Sequence, residues 1–235
     1  MRKSTICVLV GVLSLMLICN SVLAETGFFP DIQMEANQPE KAQNSPDFDT
    51  RMMAYFVNPE SGVNDRAAYF GQVAANVSTY RGATAQPDSY EWKTKAEMKA
   101  AIQSAYIVFI HSHGASGCIT IGPSASTYIY NYDFATENLG QQLCIILLTC
   151  NGGSYVAPPS SNMVQAMVNA GATCVVGFSN TISVQNSNDF AKKFSAYTMS
   201  GFGSVAGSIN YMATYGLSPI AQYAVVGGTG STWLN

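Results

Sequence analysis

Two stretches of this chain, Tyr106–Ile110 and Leu143–Leu148, are apolar or aromatic at nearly every position, with Cys144 the one thiol among them. Such runs read as strands buried on both faces, the kind found in parallel sheets sandwiched by helices. The surrounding sequence alternates accordingly. Met52–Val57 and Ala172–Phe178 are further apolar strands, and Gln222–Val226 reads as a last strand before Gly227-Gly228. Helices are expected at 65–78, at 96–104 opened by Thr94, at 162–170 capped by Ser160 or Ser161 and closed by Gly171, at 188–199 and at 205–215. Five core strands with crossover helices between most of them make an α/β domain with a mostly parallel sheet. Gly117–Tyr132 alternates β-formers around Gly122-Pro123-Ser124 and reads as a β-hairpin excursion.

The first residues are of another kind. Met1-Arg2-Lys3, an apolar core from Ile6 to Ile18, and Val22-Leu23-Ala24 form the pattern of a secretory signal peptide cleaved after Ala24. The apolar core falls short of the roughly 20 residues a membrane span needs. Ile18 stands where a lipid-attachment signal at Cys19 would want a small residue. The apolar stretch from Met163 to Phe178 is interrupted by Gln165, Asn169, Gly171 and Thr173, so no membrane span is expected there either. The chain thus divides into residues 1–24 as signal peptide, 25–50 as a polar linker or pro-segment, and 51–235 as the folded domain. Its destination is extracellular or periplasmic.

The formal charge of the whole chain is −3, cleavage would remove Arg2 and Lys3, and no basic run remains. That balance argues against a nucleic-acid partner. Cleavage also removes Cys7 and Cys19, leaving Cys118, Cys144, Cys150 and Cys174. An even number in an oxidising compartment permits two disulfides without requiring them. Cys144 and Cys174 lie early in strands that should be neighbours, so a cross-strand disulfide and a pair of packed thiols are both open. Asn76-Val77-Ser78 fits a glycosylation acceptor pattern, one common enough by chance to be assigned no role.

The chemistry gathers at two strand ends. His111 and His113 are the only histidines of the chain. They close the strand that begins at Tyr106, and Gly114 follows. Cys150 closes the strand that begins at Leu143, before Asn151-Gly152-Gly153. Neighbouring strands lie about 4.8 Å apart, so an imidazole and a thiol on the same sheet edge can meet. A thiol is an effective nucleophile as thiolate, and an imidazole takes its proton or stabilises its charge. Turns after each residue let backbone N–H groups face a reacting carbonyl oxygen. His111 shares a strand face with His113 by the two-residue period and reads as a structural or supporting histidine.

These residues carry a resemblance. Ile107-Val108-Phe109-Ile110-His111-Ser112-His113-Gly114 and Ile145-Ile146-Leu147-Leu148-Thr149-Cys150-Asn151-Gly152-Gly153 resemble the two catalytic strand ends of the caspase-like cysteine peptidases, a group that includes caspases, gingipains, clostripain, separase and CHAT domains. The resemblance extends through Met163–Ala172, Val175-Val176-Gly177 and Tyr223–Gly228, and so covers the chain from about Arg51 onward. It implies a three-layer α/β/α sandwich, His113 as base, Cys150 as nucleophile, and the N–H groups of Gly114 and Cys150 as the oxyanion hole. It also implies a protein or peptide substrate, no cofactor and no catalytic metal. The spacing from His113 to Cys150 is shorter than the roughly 50 residues typical of caspases. Leu148-Thr149-Cys150-Asn151-Gly152 departs from the caspase Gln-Ala-Cys-Arg-Gly, so caspase specificity does not transfer. In the resemblance, the side chain that selects the residue before the cleaved bond often lies two positions before the nucleophile. Here that is Leu148, beside the Ser179 and Asn180 loop, with Asp189 the one nearby acid and expected in the first turn of the next helix.

Two other readings stay open at this point. His111, His113, Cys118 and Cys150 have side chains that suit zinc, although no Cys-x-x-Cys or second ligand pair accompanies them. A binding or structural module that kept the fold and lost the activity is the rival from another class.

Overall fold

The computed structural model describes residues 52–57, 71–76, 84–85, 91–232 and 234. The signal-like leader, the polar segment to residue 50 and most of the helix expected at 65–78 lie outside the described residues; 71–76 is helical. The main sheet contains β1 (Met52–Val57), β2 (Thr84–Ala85), β3 (Ile107–His111), β7 (Cys144–Leu148), β8 (Cys174–Phe178) and β9 (Ala224–Gly228) in the order β2-β1-β3-β7-β8-β9. All neighbours pair in parallel except β9, which runs antiparallel to β8. The five expected strands are therefore joined by a short sixth at the edge.

Strand alternation sorts the core into two layers. Ile107, Phe109, Cys144, Ile146, Leu148, Val176 and Phe178 face one side. Val108, Ile110, Ile145, Leu147 and Val175 face the other. Every residue of β3, β7 and β8 is buried, which explains why these runs are apolar without a polar alternate face. On the second side lie α1 (Lys95–Gln103), through Met98 and Ile102, and α2 (Met163–Asn169), through Met163 and Met167. On the first side lie α3 (Val184–Met199), through Phe190 and Phe194, and α4 (Val205–Thr214), through Ile209 and Met212. Helices on both faces of a mostly parallel sheet make the expected α/β sandwich.

The helix starts show local chemistry at work. Thr94 Oγ1 accepts from Glu97 N–H at 3.2 Å while Glu97 Oε2 accepts from Thr94 N–H at 2.7 Å, a complete capping box. For α2 the cap is Asn162, in place of the expected Ser160 or Ser161. Its Oδ1 accepts from Gln165 N–H at 2.8 Å, and its Nδ2 donates to Ser154 O at 2.9 Å. A serine has no second polar atom with which to tie the preceding loop to the helix. Helix α3 begins four residues earlier than expected. Ser183 caps it by accepting from Asn186 N–H, and Ile182 and Val184 pack against the core ahead of the polar residues that mask the helical period.

The excursion after β3 is a three-stranded antiparallel sheet: β4 (Gly114–Ala115), β5 (Cys118–Ile119) and β6 (Ile129–Tyr130). It packs on the α1 and α2 side through Ile119, Ile121 and Ile129. Cys118, Cys144, Cys150 and Cys174 are all free thiols, and Cys144 and Cys174 are buried side by side in the core. The side-chain amide of Asn76 is buried and donates to Ser195 Oγ at 2.8 Å, so the glycosylation acceptor pattern falls on an engaged core residue. Among the described residues no helix is long and apolar enough to cross a membrane.

Candidate active site

The register of the central ladder sets the level of the two candidate residues. His111 pairs with Leu148, so His113 and Cys150 each stand two residues beyond a matched pair, on adjacent strands about 4.8 Å apart. The strand tips are pressed together. A Cβ on Gly114 would lie 2.9 Å from Thr149 Cβ and 3.0 Å from Cys118 O, so only glycine permits the loop after His113 to rest on the residue before Cys150. Past Cys150 the chain turns sharply through Asn151, whose φ of 58° is the left-handed region that Asn tolerates better than most side chains. The turn is strapped to the end of β8: Asn151 N–H donates to Asn180 O at 3.1 Å and Gly153 N–H to Phe178 O at 3.0 Å.

His113 and Cys150 line one small pocket of about 50 Å³, together with His111, Ser112, Leu148, Ile182, Val184 and Ser187. It sits at the C-terminal edge of the parallel strands, where open α/β sheets bind ligands. His113 is exposed, Cys150 partly exposed and Leu148 buried. A larger open groove of about 350 Å³ runs between Asn131–Ala135 and Pro159–Ala170 and includes none of these groups. Size alone would favour the groove, but the thiol and the imidazoles make the smaller pocket the candidate site.

The two histidines have opposite surroundings. His111 is 3% exposed, and its Nε2 lies 2.9 Å from Ser187 Oγ. Ser187 Oγ donates to Val184 O at 2.7 Å, which leaves it as acceptor for Nε2–H of His111. Burial first, and then the nearby His113, lowers the His111 pKa from its ordinary 6.5 to about 4. His111 is thus a neutral hydrogen-bonding group at neutral pH, while His113 meets solvent. The Cys150 thiol is bonded to both backbone polar groups of Ile182: Sγ donates to Ile182 O at 3.5 Å and accepts from Ile182 N–H at 3.4 Å.

The remaining sequence candidates are dispersed. Ser179 and Asn180 are exposed in the loop after β8 and do not line the pocket, although Ser179 O accepts from Ser154 Oγ at 3.0 Å beside the Cys150 turn. Asp189 lies in the second turn of α3, beyond the first turn expected for it, because the helix starts at Val184. Its carboxylate pairs with Lys193 at 3.0 Å, and Lys193 Nζ also donates to Leu217 O. Cys118 lies in β5 with its thiol pKa pushed up by burial, and it does not line the pocket. Among the described residues no three His, Cys, Asp or Glu side chains gather so as to hold a metal. Ile182 and Ser187 were not legible as site residues beforehand. Ser187 left one trace, a small polar residue on the apolar stripe of α3 that Phe190, Ala191 and Phe194 continue.

No protein-family model matches the chain, and no curated protein matches it in sequence. Solved structures do match. The Arg-specific cysteine proteinase gingipain R superposes with a TM-score of 0.61 at 12% identity, over 79% of this chain and 48% of that one. The complex of pro- and mature domains of the same enzyme from Porphyromonas gingivalis gives 0.61 at 10% identity, over 79% and 49%. Separase from Saccharomyces cerevisiae, in complex with securin, gives 0.56 at 13% identity, over 75% of this chain and 11% of that one. This chain therefore spans about half of gingipain R and about a tenth of separase, both caspase-like cysteine peptidases, and it shares their α/β fold.

The neutral His111 carries a pH signature. Its folded pKa lies below its unfolded value, so the unfolded chain takes up the proton more readily. The stability tied to this residue is complete above about pH 6.5 and drains away as the pH falls towards 4. Urea midpoints measured from pH 7.5 down to 4.5 should fall over this window, and His111→Asn should fall less steeply. An equal slope in the folded variant would show that His111 does not set it.

Proposed function

We propose that this chain is a secreted cysteine endopeptidase in which Cys150 is the nucleophile and His113 the base. The observation that carries the reading is the placement of both side chains on one pocket, at the tips of adjacent parallel strands in register. His113 takes the thiol proton as Cys150 Sγ attacks the peptide carbonyl carbon, and the carbonyl electron pair moves onto oxygen. The C–N bond then breaks, the proton passes from His113 to the leaving amine, and a thioester remains. Water, deprotonated by His113, attacks the thioester; the acid leaves and the thiol regains its proton.

Two features support the assigned oxyanion donors. Among the described residues the Cys150 N–H donates to no backbone carbonyl. Gly114 pairs with Ile119 while Thr120 N–H donates to His113 O at 3.0 Å. In an antiparallel ladder this makes Gly114 a non-hydrogen-bonded position whose N–H stays outside the ladder. Preorganised N–H groups of this kind stabilise charge as it develops on oxygen.

An inactive binding module draws on one observation, that the thiol bonds to Ile182 and not to His113. Resting geometry does not decide against catalysis, because catalytic bonds tighten with substrate bound. Cys150→Ala and His113→Ala should each abolish peptide hydrolysis, with unfolding midpoints near that of the parent protein, and His111→Ala should cost less activity. Parent protein that hydrolyses nothing, with Cys150 inert to iodoacetamide, would favour the binding module.

Specificity follows from the walls. Of the lining residues, Leu148, Ile182 and Val184 are apolar; outside the pocket, Ser179 and Asn180 in the loop after β8 are uncharged, and the Asp189 carboxylate is committed to Lys193. An unpaired charged side chain would meet a desolvation cost of several kcal/mol here. The enzyme accordingly prefers small or uncharged residues before the cleaved bond, unlike the Arg-specific gingipain R. A fluorogenic peptide library tests this; strong cleavage after Arg or Lys that is lost in Asp189→Ala would overturn it.

Secretion is part of the same proposal and rests on the leader sequence. The intact mass of exported protein should correspond to a chain beginning at Glu25, and a mass that includes Met1 would contradict it.

A further inference from the structure

The Cys150 sulfur has two hydrogen bonds among the described residues, and both are to the backbone of one residue. Ile182 N–H donates to it at 3.4 Å and Ile182 O accepts from it at 3.5 Å. Ile182 stands in the loop between β8 and α3, 32 residues from Cys150 in sequence, so its approach is a product of the fold. That loop is anchored on both flanks. Ser183 caps α3 by accepting from Asn186 N–H at 3.2 Å. One turn on, Ser187 bonds to His111 at 2.9 Å and to Val184 O at 2.7 Å. Ser187 is 1% exposed and His111 3%. The bond between them therefore runs without solvent competition from the end of β3, two residues before His113, to the first turn of α3.

The two contacts at Ile182 suit the two protonation states of a thiol. A neutral S–H has a proton to donate, and the carbonyl receives it. A thiolate has none, and the N–H then bonds to a full negative charge, a stronger interaction than a bond to neutral sulfur. We infer that the Ile182 backbone is part of the nucleophile's machinery, its N–H holding the Cys150 thiolate and its carbonyl the resting thiol, with Ser187 and His111 as positioning residues that hold this stretch of backbone in place. The inference rests on the reading of Cys150 as nucleophile and adds a thiolate-binding group that motif reading does not supply. The titratable side chains facing Cys150 across the pocket are His111 and His113. Asp189 and Lys193, further along α3, are paired with each other.

Ile182→Pro removes the N–H and keeps the carbonyl, so it withdraws the bond to the thiolate and leaves the bond from the thiol. The probe is iodoacetamide at pH values from 5 to 9 on the whole secreted chain, with alkylation of Cys150 followed by peptide mass and compared with thiolate absorbance. In Ile182→Pro the profile should move to higher pH, and the rate at pH 7 should fall about tenfold, since a hydrogen bond to a charged group is being lost. Ser187→Ala, which removes one buried hydroxyl and leaves Ile182 intact, should move the profile in the same direction by less. A role in packing alone would lower the unfolding midpoint and leave the pH profile in place. Unchanged profiles in both folded variants would overturn the inference; if Ile182→Pro does not fold, an unchanged profile in Ser187→Ala does so by itself. Because alkylation needs no peptide substrate, shifted profiles in a protein without peptidase activity would sustain the thiolate-binding group and count against the proposed function.

Discussion

The in-register parallel pairing of β3 with β7 is the constraint on which everything else here depends. It places His111 opposite Leu148, and from that pair two short continuations bring an imidazole and a thiol to one edge. A slip of one residue would invert which face each side chain points to. Burial on both faces prevents such a slip, because Phe109 and Ile146 belong to one core layer and Ile110 and Leu147 to the other. The contact of Gly114 with Thr149 then closes the gap between the loops that follow. The rigidity of the site is thus inherited from the hydrophobic core beneath it.

The same core explains how two histidines a residue apart come to differ. The sheet ends just after His111, whose side chain still points into the layer beneath α3, where charge is costly and a hydroxyl is at hand. His113 lies beyond the last ladder pair and meets water. Burial makes the first a fixed neutral group. Mutual repulsion adds to the effect, since His113 itself depresses the pKa of His111.

Helix α3 links the layers to the chemistry. Its buried stripe, Phe190, Ala191 and Phe194, holds it on the sheet, with Phe178 and Phe190 in edge-to-face contact at 5.0 Å. That docking carries the preceding loop over the pocket, so Ile182 reaches the sulfur. A single helix therefore serves packing through one part of its length and the site through its first turn. The wall that results is apolar at Ile182 and Val184.

The sequence by itself determined the layered α/β class, the positions of the buried strands and the two strand ends where His113 and Cys150 stand. These features are local: an apolar run, a glycine after a polar tip, a threonine before a helix each act within a few residues. Helix starts were less legible, as the Asn162 cap and the early start of α3 show, because several polar residues in a row compete for the cap and packing chooses among them. Only the tertiary structure decided that Ile182 meets the Cys150 sulfur, that Ser187 binds His111, that Asp189 pairs with Lys193, and that the thiols of Cys144 and Cys174 stay free. Each of these joins residues through the docking of a helix or the pairing of strands. Side-chain partners set by packing are recorded nowhere in local pattern, because they depend on which faces the whole core brings together.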